Sequence, residues 1–177
     1  MIYFTSDQHF YHENIIKGVG RSFANAEEMN RVLIQKWNER VVPEDDVYIL
    51  GDISLKRYPA VSMILDQLNG KKYLVKGNHD YFAGKANFAA DLYFGWVKEY
   101  HELVWQGRTF VLSHYPLLEW NEMENGAIHL HGHEHNSSVY NLQNRRVGQF
   151  RYDVGVDANH MSPVSIEEIL SFLNGSK

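Results

Sequence analysis

Apolar and polar positions fall into short runs, and several of the runs stop at the same kind of loop. Ile2 to Thr5, Asp46 to Leu50 and Lys72 to Val75 read as strands. Between the first two, Met29, Val32, Leu33, Trp37 and Val41 recur at helical spacing. That predicts a helix over Ala26 to Val41, ended by Pro43. Ser6 to Gly20 reads as loop, with a helical turn at Asn14 to Lys17. A second helix is predicted over Ala60 to Leu68, closed by the turn pair Asn69-Gly70. Phe82 to Leu92 is also predicted helical. The later chain is mostly strand: Val97 to Leu103, Thr109 to Leu112, Ala127 to Leu130, and one or two strands within Arg146 to Val156. Ser165 to Leu173 is predicted as a closing helix, with Ser165 as N-cap and Glu168 at the capping-box position. Helices and strands alternate first and strands dominate later, so the expected class is α/β, or α+β.

The length of 177 residues predicts one domain, 1–177, and 44% hydrophobic residues are enough for a proper core. No apolar run approaches the roughly eighteen residues of a membrane span. Met1 leads into Ile2-Tyr3-Phe4 without a basic segment, apolar stretch or cleavage site, so no signal peptide is expected. Cysteine is absent, which excludes disulfides, thiolate metal sites and cysteine nucleophiles and fits a cytoplasmic protein. A formal charge of −5 argues against an extended nucleic-acid face.

Ten histidines shift attention to the strand ends. Asp7 and His9 follow the first strand. Asp52 follows Gly51 after the second, Asn78, His79 and Asp80 follow Gly77 after the third, and His114 follows Phe110-Val111-Leu112. His133 and His135 flank Glu134 behind His131-Gly132. Ligands gather beyond the carboxyl ends of strands in sheets with βα connections, so these loops are expected to converge. Each motif alone has a plain reading: solvated loop, helix cap, turn or structural histidine. Together they repeat one chemistry on five loops. Carboxylate, amide oxygen and imidazole suit a borderline divalent cation. His79 beside Asp80 suits a general acid oriented by a carboxylate. His129 is expected to be structural. His131 is either structural or hydrogen-bonded behind a ligand.

In order and spacing these residues resemble the calcineurin-like metallophosphoesterases: D-x-H at Asp7 and His9, G-D at Asp52, G-N-H-D at Asn78 to Asp80, a lone His114, and G-H-x-H at His133 and His135. The motifs span most of the chain. A common family pattern carries a further Asp shortly after G-D, whereas Gly51-Asp52-Ile53-Ser54 continues here with Leu55. The resemblance implies two packed mixed β-sheets flanked by helices, a four-layer αββα sandwich, with no cap domain. It implies two metals sharing Asp52: Asp7, His9, Asp52 and His135 on one, Asp52, Asn78, His114 and His133 on the other. Manganese is the expected metal, with iron, zinc or nickel as alternatives. Two such cations outweigh the two carboxylates and a bridging hydroxide, so an acidic chain can still attract phosphate.

Phe10 to Ile16 looks like the small prokaryotic or phage-type members. The expected substrate is a small phosphate ester or nucleotide, cut by in-line attack of hydroxide with His79 as acid. Diesters are favoured over monoesters, because no arginine is evidently placed to clamp a dianion. His12, Asn14 and Arg21 are candidate substrate contacts, and Asn159 a further one. Tyr115 and Trp120 could wall a base or aryl group. A β-lactamase-like H-x-H-x-D-H reading fails, since His133 occupies the Asp position. The remaining rival is a metal-binding scaffold or sensor without catalysis.

Overall fold

The computed structural model describes residues 1–175. Among the described residues, nine strands form two sheets. The first has the order β4-β3-β2-β1-β9. Its members are β1 (Ile2–Thr5), β2 (Asp46–Ile49), β3 (Lys71–Val75), β4 (Phe94–Lys98) and β9 (Val164–Ser165). Strands β1 to β4 run parallel, and β9 pairs antiparallel with β1. The second sheet has the order β5-β6-β7-β8, with β5 (Tyr100–Trp105), β6 (Arg108–Ser113), β7 (Ile128–His131) and β8 (Arg151–Asp153). Here β5 and β6 form an antiparallel hairpin, and β6, β7 and β8 run parallel. Two mixed sheets flanked by helices are what the family resemblance implies.

The period-two rule for strands sorts the core. Tyr3, Val47, Ile49 and Leu74 face outward onto the helices α2 (Ala26–Asn38) and α3 (Ala60–Leu65), where they meet Met29, Leu33, Trp37 and Ile64. Their neighbours Phe4, Tyr48, Leu50 and Val75 face the other way, against Phe110, Leu112, Ile128 and Leu130 of the second sheet. Each such buried side chain contributes about 1.5–3 kcal/mol. Helix α5 (Ile166–Asn174) adds Ile166, Ile169 and Leu173 to this inter-sheet core. It starts on the expected capping box, with Ser165 accepting from the Glu168 N–H and the Glu168 side chain accepting from Ser165 N–H.

Several expectations need correcting. Asn14 to Lys17 is the middle of a helix, α1 (Glu13–Val19), which stops at Gly20 in the left-handed region. Phe82 to Leu92 is not one helix but two short 3-10 turns, Tyr81–Gly84 and Ala90–Leu92. There Phe82 and Phe88 are buried by tertiary packing and do not make a helical stripe. Val97 to Leu103 is two strands, because the chain leaves the first sheet after Lys98 and enters the second at Tyr100. The helix α4 (Ser138–Arg146) was not expected; only Asn141 and Asn144 are buried on it, so it carries no apolar periodicity to read. The two-residue β9 was not expected either. No helix among the described residues is long and apolar enough to cross a membrane.

Candidate metal centre

The loops after β1, β2, β3, β6 and β7 meet at one end of the sandwich. Parallel pairing carries past the strand ends to hold the first two together: Asp7 N–H donates to Gly51 O at 3.0 Å and His9 N–H to Asp52 O at 3.0 Å. The second sheet joins through Gly132 N–H on His114 O and His133 N–H on Asp7 Oδ2 at 2.9 Å. Two glycines permit this approach. A Cβ on Gly77 would collide with the Asp52 carboxylate, and one on Gly132 with Ser6 Oγ and Asp7 Oδ2.

Five of the seven predicted ligands sit in the left-handed region, with φ of 60° at Asp7, 52° at His9, 57° at Asp52, 74° at His133 and 51° at His135. Asp and His tolerate this conformation better than most residues. Clustered departures of this kind mark functional sites.

The side chains form two groups. Donor atoms of Asp7, His9 and His135 lie within 4.8 Å of one another, as do those of Asp52, His114 and His133. Asn78 joins the second group, with its Oδ1 3.1 Å from His114 Nε2. Asp52 stands between the groups. Its Oδ1 accepts from His79 N–H at 2.8 Å. Its Oδ2 faces His9 Nε2 at 3.5 Å, His114 Nε2 at 3.6 Å and His79 Nε2 at 3.9 Å.

The first two separations are long for hydrogen bonds but suit donors sharing a cation, since metal–donor bonds of about 2.0–2.2 Å leave neighbouring donors about 3–3.6 Å apart. Asp7 Oδ1 and His9 Nε2 are buried without any hydrogen-bond partner. Buried polar atoms are rarely left unpaired. These two are 3.9 Å apart and aim into the first group. The donor set therefore fits a divalent cation in each group.

Electrostatics agree. Burial pushes the Asp7 carboxyl up to about 7. Burial, then the nearby His135 and Arg21, holds His9 down to about 2. A cation between them would favour the Asp7 carboxylate and keep His9 neutral, the forms a ligand needs. His114 is lowered by burial, and its Nδ1–H donates to Leu50 O at 2.7 Å, leaving the Nε2 lone pair toward Asp52.

His135 is oriented by a residue the sequence reading missed. Its Nδ1–H donates to Asp157 Oδ2 at 2.8 Å. Burial opposes a charge on His135, but Asp157 and Asp7 outweigh it and raise its pKa. Asp157 also accepts from Arg21 Nε at 2.8 Å and Nη2 at 2.7 Å. These bonds overcome burial and hold its carboxyl down to about 2. Asp157 follows Gly155-Val156 just past a late strand, the same pattern that exposed the other loops, so its signal was present.

The remaining candidates are dispersed. Arg21 lies beneath the ligand loops, where it also donates to Asp7 O and Gln8 O. Asp80 is not hydrogen-bonded to the His79 ring. It accepts backbone N–H groups of Asp52, Ile53 and Gly77. Burial, opposed by those bonds, raises its carboxyl to about 7. His79 is half-buried at the open face, and His12 adjoins it, with ring centroids 6.4 Å apart. Asn14 is exposed on α1.

Tyr115 is exposed at the rim, edge-on to His133 at 4.6 Å. Trp120 is buried in a satellite core and donates to Ala127 O. Asn159 is buried and bonded to Tyr152 OH and to the backbone of Asp153 and Gly155. His129 is buried between Val111 O and Leu117 N–H, as a structural histidine would be. His131 contacts Gly132 O and Tyr140 OH behind the last ligand loop.

Comparison with known proteins points the same way. Residues 1–150 match the model of the calcineurin-like phosphoesterase superfamily domain. An uncharacterized protein of Methanocaldococcus jannaschii is 35% identical over 99% of this chain and 93% of its own. The gene 66 protein of Mycobacterium phage D29 is 30% identical over 98% of this chain and 96% of its own. A crystal structure of a protein of unknown function from Aquifex aeolicus superimposes with a TM-score of 0.73 at 28% identity, covering 97% of this chain and 98% of the other.

Proposed function

The chain belongs to the calcineurin-like phosphoesterase superfamily, and from that premise we propose that it hydrolyses phosphate esters at a binuclear centre built from the two His/Asp groups. Asp7, His9 and His135 would hold one cation, and Asn78, His114 and His133 the other, with Asp52 placed to serve both. The observation that carries this reading is the pair of orphaned buried atoms, Asp7 Oδ1 and His9 Nε2, beside a carboxylate oxygen facing three imidazoles. Oxygen and imidazole donors without thiolate suit manganese, with iron, zinc and nickel also compatible. When bound, such a pair supplies Lewis acidity and makes hydroxide available near neutral pH.

The chain's own residues do the rest. His79 is held by its backbone on Asp52 Oδ1, with its ring at the open face. There it can hold a proton for the departing oxygen. Asp80 serves it indirectly, by fixing the backbone that positions both Asp52 and His79. Arg21 is occupied by Asp157, so no free guanidinium among the ligand loops matches a monoester dianion. This favours diesters.

The test is metal titration joined to turnover of bis-p-nitrophenyl phosphate and p-nitrophenyl phosphate with manganese. Two metals per chain and faster cleavage of the diester are expected. Two metals bound with neither ester cleaved would leave a metal-binding scaffold.

A further inference from the structure

Beside the metal centre, a cavity of 360 Å³ opens against His135. Volumes of this order accommodate a small ligand. The C-terminal turn of α1, the helix α2 and the turns after β7 and β8 enclose it. Phe23, Val32 and Met161 give it an apolar wall, and Ser22 and Ser137 add hydroxyls at its edge. Resting on the phosphoesterase reading, we propose that this cavity is the subsite for the uncharged organic substituent, an aryl or nucleobase ring, that stays on phosphorus when the leaving group departs.

Three observations select that occupant. The first is adjacency, since His135 belongs both to the metal group and to the cavity wall.

The second is charge. Two cations line the cavity and both are engaged. Arg21 is bonded to Asp157, and Lys36 Nζ donates to His160 O at 2.6 Å. A second phosphate would meet the Asp157 carboxylate, which already holds Arg21, whereas a ring would find apolar contact with hydroxyls for its substituents.

The third is strain. His160 and Met161, the turn that carries the Met161 side chain into this wall, sit consecutively at φ of 56° and 61°. Two left-handed residues in succession, neither of them glycine, persist only where surrounding structure holds them, and they concentrate at ligand clamps. The Lys36 bond to His160 O supplies that hold.

The test compares two diesters with the same leaving group, bis-p-nitrophenyl phosphate and methyl p-nitrophenyl phosphate. Only the first leaves a ring on phosphorus. The preference for it, as a ratio of kcat/KM values, should fall about tenfold in Phe23→Ala and in Ser22→Trp, which fills the cavity from its edge. A binding readout independent of turnover is the Met161 methyl resonance in the metal-loaded protein. It should shift on adding adenosine or p-nitrophenol, and should not in Ser22→Trp. An unchanged ratio in both folded variants, or a methyl signal insensitive to both probes, overturns the subsite. Cleavage of neither diester by the metal-loaded wild type would overturn the phosphoesterase reading, while the methyl signal still decides the cavity.

Discussion

The two metal groups use similar side chains but are held in different ways. Behind Asp7, His9 and His135 stands a buried ionic chain, Arg21 to Asp157 to His135, and Ser6 Oγ donates to Asp7 Oδ2 at 2.6 Å. Behind Asp52 and His114 stand backbone groups, namely Leu50 O, the His79 N–H, and the turn tied by Asp80. The first group is braced by charges that cost much to separate. The second is braced by peptide dipoles and opens to solvent beside Asn78, His79 and Tyr115. The difference gives one side an ionic brace and the other a backbone brace with an open face, and Asp52 is the carboxylate that faces both groups.

The sharpest break is Asp52→Ala. It should empty both groups and lower turnover on the order of 10³-fold or more, while Asn at this position should retain part of the metal content. Loss of one metal only, measured by titration, would remove Asp52 from the shared position.

Arg21→Ala tests the ionic brace. It strands Asp157 and two backbone carbonyls in the interior, which should cost about 3–5 kcal/mol in a urea-unfolding experiment. A change under about 1 kcal/mol would show that the pair acts like a surface contact.

Acid tests the buried titratable groups, Asp157 of the brace among them, in metal-free protein. His9 and His129 are held at about 2 and about 3 by burial, so unfolding takes up a proton at each once the pH is below the ordinary histidine range. Asp157, held at about 2, adds a third proton on unfolding as pH falls through about 4. Asp7 and Asp80, raised to about 7, oppose the histidines between about pH 4 and 7, because the folded state then holds protons that the unfolded state has released. Below about pH 4 that opposition ends. Stability should then fall by up to about 4 kcal/mol per pH unit, read as the urea midpoint at successive pH values. A flat profile from pH 4 to 3 would contradict it.

His79→Asn should lower kcat by about 10²-fold or more with both metals retained. Metal loss at unchanged turnover would make His79 a ligand instead. The mildest change is Asp157→Asn, which should weaken the first metal by about 10–100-fold and leave the second within about twofold. Equal weakening of both would erase the distinction between the groups.

Much of this was legible because strand periodicity and loop chemistry are local. The strand ends read from short apolar runs, Thr5, Leu50, Val75, Leu112 and Leu130, fall within one residue of those in the structure, and each is followed by its His, Asp or Asn. The helix α4 escaped because its buried positions are asparagines, Asn141, whose side chain bonds to the backbone of Asp153, and Asn144, whose backbone O accepts from Gln149 N–H, and they carry no apolar stripe. The exchange of strands between sheets at Glu99 escaped because the single strand-like stretch Val97 to Leu103 contains no turn signal to divide it.

The sequence by itself determined which residues occupy each loop, and so the kind of donors and the order in which they occur along the chain. Tertiary structure alone decided what each one touches. His133 reaches Asp7 across 126 residues, and Arg21 reaches Asp157 across 136. Asp80 turned from its neighbour His79 to three backbone donors. The reason is geometric. Spacing places side chains along one segment, but only the order and register of strands in two packed sheets bring segments distant in sequence within bonding distance.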